Sequence, residues 1–172
     1  LSWGPLPVLV PLFVEQELGE GATALGFVFS GYGLGGLAGT VFAGTKGMRF
    51  DSVVPAYLGW GLGTVAIGAL AFAPSAVAAA ALMAVVGFTG QIAEVTWATL
   101  LQKFVPRSLL GRVVSTDWLV SLSLQPLGVA LAVPVAAAIG IPAAFAGGAA
   151  LVLAAMALGL WWRPVREIPE PV

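Results

Sequence analysis

The chain has 172 residues, of which 59% are hydrophobic and only 9% charged, against roughly 25% charged in an average soluble domain. It contains no Cys and no His, which excludes disulfides, thiolate or imidazole metal sites, a His general base and a Cys nucleophile. The net charge is −1 and the seven basic residues fall in three small groups, so there is no basic stripe for nucleic acid and none is expected as a partner.

Water is therefore not the expected solvent. The 23 Gly suit membrane helices, where close backbone approach replaces the hydrophobic drive that lipid removes. The predicted class is an all-α, polytopic helical bundle with the lipid bilayer as its surroundings and no cofactor. Apolar stretches cover residues 1–14, 25–44, 53–73, 76–101, 113–139 and 143–162, which reads as one partial span and five full ones. A Pro-rich polar tail, 163–172, follows them and carries no domain.

The first stretch has 14 residues before Glu15, about 21 Å of helix against a hydrocarbon core of roughly 30 Å. The chain is thus read as beginning inside a span. Pro5, Pro7 and Pro11 lie within it and are expected to kink it. In the second span Gly31, Gly33 and Gly36 fit the dinucleotide pattern G-x-G-x-x-G, but no strand precedes them, so a nucleotide site is rejected. Gly31, Gly35 and Gly39 recur every four residues, on one helical face where a second helix can approach closely. Gly59 and Gly63 repeat that spacing in the third span.

The fourth span holds a carboxylate. Glu94 lies nine residues before Lys103, about 13 Å along the helix. An ionised group at the centre of a span costs roughly 2.5–3.5 kcal/mol. It needs a partner, a proton or water. Gly87, Gln91, Glu94, Ala98 and Gln102 follow steps of four, three, four and four, a polar and small-residue face directed at protein or a cavity. In the fifth span Asp117, Ser121 and Gln125 step by four and form a second polar stripe facing the same interior. Two readings of Glu94 stand side by side: a group that exchanges protons and couples them to substrate movement, or one that pairs with Arg112 and fixes packing. For Asp117, about one turn from Arg112, an interfacial salt bridge is expected. Pro126 and Pro134 interrupt the same span, either as kinks in a moving helix or as static curvature.

The connections alternate in charge. Lys46 and Arg49 follow the second span, Lys103, Arg107 and Arg112 the fourth, and Arg163 and Arg166 the sixth, whereas the others hold Glu15, Glu17 and Glu20 or no charge. The positive-inside rule then puts the even-numbered ends and the C-terminus in the cytoplasm of a cell membrane. Tyr57, Trp60, Trp97, Trp118, Trp161 and Trp162 fall near those ends, where an interfacial aromatic belt is expected.

The run from Trp97 through Gln102, Val105, Pro106, Gly111, Arg112 and Val113 to Gln125-Pro126 closely resembles the link between the tenth and eleventh helices of major facilitator superfamily exporters. It is similar in particular to the branch of macrolide efflux proteins, the enterobactin exporter and transmembrane secretion effectors. There the pattern reads Gln-x-x-Val-Pro-x-x-x-x-Gly-Arg-Val; Leu110 stands where Arg is frequent. Pro11-Leu-Phe-Val, Leu18-Gly and Leu25-Gly26 resemble the seventh and eighth helices of that branch. After the second span, Gly47 and Arg49 fit the superfamily's loop motif, but Thr40, Gly44 and Thr45 replace its Gly, Asp and basic residue. The gate contact of that Asp does not carry over.

The resemblance implies helices seven to twelve of a twelve-helix exporter, the C-terminal half, with a six-helix N-terminal half as partner and the first helix here truncated. It also implies alternating access driven by protons, with a small amphipathic substrate of drug, macrolide or siderophore type. The competing reading is a membrane scaffold or assembly subunit that transports nothing. An intramembrane enzyme is set aside for want of His, Cys and a paired-Asp motif.

Overall fold

The computed structural model describes residues 4–45 and 52–161. Among them the chain is all-α, with seven α-helices and no strand. Helix α1 (Leu6–Leu12) contains Pro11 and continues as a π-helical turn, Phe13–Glu17. Pro11 lacks an N–H, and loss of that bond favours a wider turn nearby. Gly19, at φ 66°, ends this segment in the left-handed conformation, and the Glu20 N–H reaches back to the Val14 carbonyl at 3.0 Å. The remaining helices are α2 (Ala22–Thr45), α3 (Val54–Ala69, closed by a 3₁₀ turn over Leu70–Phe72), α4 (Ala76–Phe104), α5 (Arg107–Ser123), α6 (Gln125–Ile139) and α7 (Ile141–Trp161). Lys46, Gly47, Arg49, Trp162, Arg163, Arg166 and the tail 163–172 lie outside the described residues, as do the first three positions.

Among the described residues, five helical stretches are long and apolar enough to cross a membrane: α2, α3 with its 3₁₀ turn, α4, α5 with α6, and α7 through Gly159. The structure differs from the sequence expectation at the fifth. The single stretch expected over 113–139 is two helices broken at Leu124, because Pro126 has no N–H to give Leu122 and its ring crowds that carbonyl. The connector expected over 102–112 shrinks to Val105 and Pro106: Pro106 caps α5 with an extended ψ of 139°, and the helix starts at Arg107. The 33 residues from Arg107 to Ile139 would reach about 50 Å, well beyond a core of roughly 30 Å. The first turns of α5, with their arginines, are the part expected to extend past the hydrocarbon.

Helix directions follow from which residues meet. A Cβ added at Gly31, Gly35 or Gly39 would strike the backbone carbonyl of Ala80, Ala84 or Phe88, and one at Gly87 would strike that of Tyr32. Both numbers rise by four together, so α2 and α4 run parallel and touch backbone to backbone. Gly59 meets Thr89 and Ala93, and Gly63 meets Thr89 and Val86, which makes α3 antiparallel to α4. Gly68 against Ala149, Gly61 against Met156 and Gly159 against Tyr57 make α7 antiparallel to α3. The ends of α2, α4 and α7 and the start of α5 consequently share one end of the bundle, where Lys103 and Arg107 sit. At the opposite end a Glu20 oxygen accepts from the Ala76 N–H at 3.5 Å, at the start of α4, beside the Ser75 cap.

The interior is small and satisfied. Leu70, Met83, Val10, Val14, Val28 and Val86 are its largest fully buried side chains, apart from Thr96. Buried Thr64, Thr89 and Thr96 return their hydroxyls to carbonyls four residues back, at 2.7–2.8 Å, the arrangement lipid demands of a polar group without water. Outward, Phe27 and Leu34 are each 67% exposed, a surface suited to acyl chains.

Candidate functional site

Near the basic end, α3, α4 and α5 enclose a cavity of about 470 Å³. Its position comes from the break between α4 and α5: the chain reverses at Pro106, and α5 returns past the last turns of α4 while touching it lightly. Glu94, Ala98 and Gln102 reach the cavity from α4, Asp117 and Ser121 from α5. The two polar stripes thus meet over part of their length. Gln91 does not reach it. That side chain packs on α2, its Cγ 3.3 Å from where a Gly36 Cβ would stand, because α2 covers the upper part of the same α4 face and leaves only the lower part open.

Gln125 also lies outside the cavity. It opens α6, where its carbonyl oxygen sits 2.9 Å from the Cβ position of Gly4. Pro106 caps α5, and nothing approaches a Cβ position on Gly111 within 4 Å. Arg112 borders a shallower cavity of about 460 Å³ together with Asp117. Within the described residues no group of three or more His, Cys, Asp or Glu is placed to hold a metal ion.

Four of the aromatic residues read from sequence as an interfacial belt also line this cavity: Tyr57 and Trp60 from α3, Trp97 from α4 and Trp118 from α5. Spacing contains the signal, since Trp97 follows Glu94 by three residues and Trp118 adjoins Asp117. The rings of Tyr57 and Trp60 lie 6.4 Å apart at 65°, and those of Trp60 and Trp97 6.0 Å apart at 57°. These are tilted pairs rather than parallel stacks, so the rings make walls of a cleft. Trp97 Nε1–H donates to Asp117 Oδ2 at 3.1 Å. Trp60 and Asp117 line the same cavity as Glu94. Leu101, Leu110 and Val114 complete the lining, which among the described residues includes no Lys or Arg.

A family model for the Major Facilitator Superfamily matches residues 1–172. No curated protein and no solved structure gives a significant match. Five apolar membrane-crossing stretches in an all-α bundle agree with that match, and the chain belongs to the major facilitator superfamily, a family of multi-pass membrane transporters.

Proposed function

We propose that the chain forms part of a proton-coupled exporter of small amphipathic molecules, and that the cavity between α3, α4 and α5 lies on its transport route. The observation that carries the reading is the convergence of Glu94 and Asp117, from two different helices, on one aromatic-walled cavity. An intramembrane carboxylate is stabilised by a counter-charge, by a proton, by water or by a cationic ligand. Glu94 then alternates between proton and substrate as the bundle rocks against a second six-helix half. The basic end faces the cytoplasm under the positive-inside rule. The exporter-like run from Gln102 to Val113 supports kinship with the macrolide and siderophore exporter branch.

The test is flux in inverted membrane vesicles acidified inside, where antiport draws substrate inward. Glu94→Gln should abolish gradient-driven uptake while leaving substrate exchange at equal pH. Unchanged gradient-driven uptake in that variant would remove the coupling role. A protein that moves no compound under any gradient, yet copurifies with a fixed partner, would favour the scaffold reading.

A further inference from the structure

We infer that the apolar groove between α6 and α7, floored by α1 and α3, holds one acyl chain of a phospholipid from the leaflet at the Glu20 end of the bundle. Among the described residues the groove shares no lining residue with the Glu94 cavity, and the inference does not depend on transport.

The groove is a cavity of about 340 Å³. Gly140, at φ 87°, is the only residue between α6 and α7, yet the two helices part rather than close on each other. Leu131 and Ile139 of α6 and Leu151 of α7 all line the groove and are 59%, 56% and 70% exposed. Beneath them Leu6, Leu9, Ile67 and Phe145 form a buried floor. A Cβ added at Gly147 or Gly148 would meet nothing within 4 Å, so α7 presents bare backbone where side chains would have closed the gap.

Chemistry, width and depth decide the occupant. Among the described residues every lining side chain is that of Gly, Ala, Val, Leu, Ile, Pro or Phe. Water would find no partner there, and a polar ligand would lose its hydrogen bonds. On α6 the lining runs from Gly128 to Ile139, about 16 Å of helix, and 340 Å³ spread over that length leaves a mean cross-section of about 20 Å². A helix about 10 Å across needs about 80 Å², so neither a second copy nor another segment can lay a helix inside. A single hydrocarbon chain, whose carbons pack about 4 Å from their neighbours, can. The length also matches one leaflet, half of a core of roughly 30 Å. Ile139 and Ala144 lie beside the Gly140 turn, at the same end as Glu20, and Gly128 lies deeper by that half thickness. A tail entering between headgroups at that end would therefore lie along the groove with its polar head left outside. Bulk lipid solvates a tail equally well, so the preference comes from contact on three sides, where an empty groove forfeits dispersion.

The experiment is photocrosslinking of the purified protein in phosphatidylcholine nanodiscs doped with an analogue that carries a diazirine on its acyl chain, with the labelled residues mapped by mass spectrometry. Leu131, Val135 and Leu151 should be labelled about fivefold more than Phe27 and Leu34, the exposed side chains of α2, a ratio equivalent to about 1 kcal/mol. Gly148→Phe fills the groove and should bring its labelling down to the α2 level while leaving α2 unchanged. Gly147→Leu, on the same open face, provides a second filling variant with a smaller side chain. Equal labelling of groove and α2 overturns the inference, as does enhanced labelling that neither filling variant lowers. Leu151→Cys offers the remaining distinction: a disulfide between two copies, with the groove unlabelled, would show that protein and not lipid covers it.

Discussion

Trp97 and Asp117 join α4 to α5 across the cavity through an indole N–H to carboxylate bond of 3.1 Å. No residue of α5 is buried, so this bond is a principal tie between the two helices. Interhelical hydrogen bonds in membranes are worth about 0.6 kcal/mol on average and up to about 1.7. A double-mutant cycle with Trp97→Phe and Asp117→Asn, read by thermal unfolding in detergent, should give a coupling of about 1 kcal/mol. A coupling near zero would mean that α5 is held by something else.

The α2–α4 seam predicts a contrast between two glycines on one helix. At Gly35 an added Cβ would run into the Ala84 backbone carbonyl, while at Gly33 nothing lies within 4 Å. Gly35→Ala forces the two backbones apart and should destabilise by about 1–3 kcal/mol. Gly33→Ala gains helix propensity of up to about 1 kcal/mol and should be neutral or stabilising. Measured side by side in the same detergent, the two unfolding temperatures should move in opposite directions, or Gly33→Ala should not move at all.

That seam was legible because membrane packing leaves small residues at a fixed period, and Gly31, Gly35 and Gly39 carry that period in full view. All-α architecture was legible for a similar reason: apolar length and charge placement need no tertiary information. The site was legible only in part. Glu94, Asp117, Gln102 and Ser121 could be found from helical spacing, but spacing gives a face and not its neighbour, so Gln91 on the same face meets α2 instead. The aromatic wall was hidden because a Trp near a helix end fits an interfacial belt as well as a cavity. The cavity arises only because α5 returns antiparallel along α4, and that depends on a break at Pro106 whose geometry is tertiary.

The split of the α4 stripe gives a functional prediction. On the proposal that its carboxyl exchanges the proton, Glu94→Gln should lower proton-driven flux at least about tenfold, the equivalent of about 1.4 kcal/mol. Gln91→Met preserves the side chain's length and its packing on Gly36, and should leave flux within about twofold. Equal losses from both variants would place the whole stripe, rather than its lower part, on the transport route.

Helix direction supplies the last prediction, through a chain that contains no cysteine of its own. Pro74 lies in the turn between α3 and α4, and Ser108 in the first turn of α5; both are exposed. Between them runs α4, 29 residues long, or about 43 Å of helix, more than enough to cross a core of roughly 30 Å. Its parallel contact with α2 and antiparallel contact with α3 fix which ends lie together, and on the proposed orientation the basic residues Lys103, Arg107 and Arg112 put the α5 end inside. A membrane-impermeant maleimide should therefore label Pro74→Cys in intact cells, but Ser108→Cys only after the membrane is opened. Labelling of both from outside would show that α4 does not cross. The reverse pattern would keep the span and overturn the orientation, with Glu94 then nearer the outer face and any proton coupling running in the opposite sense.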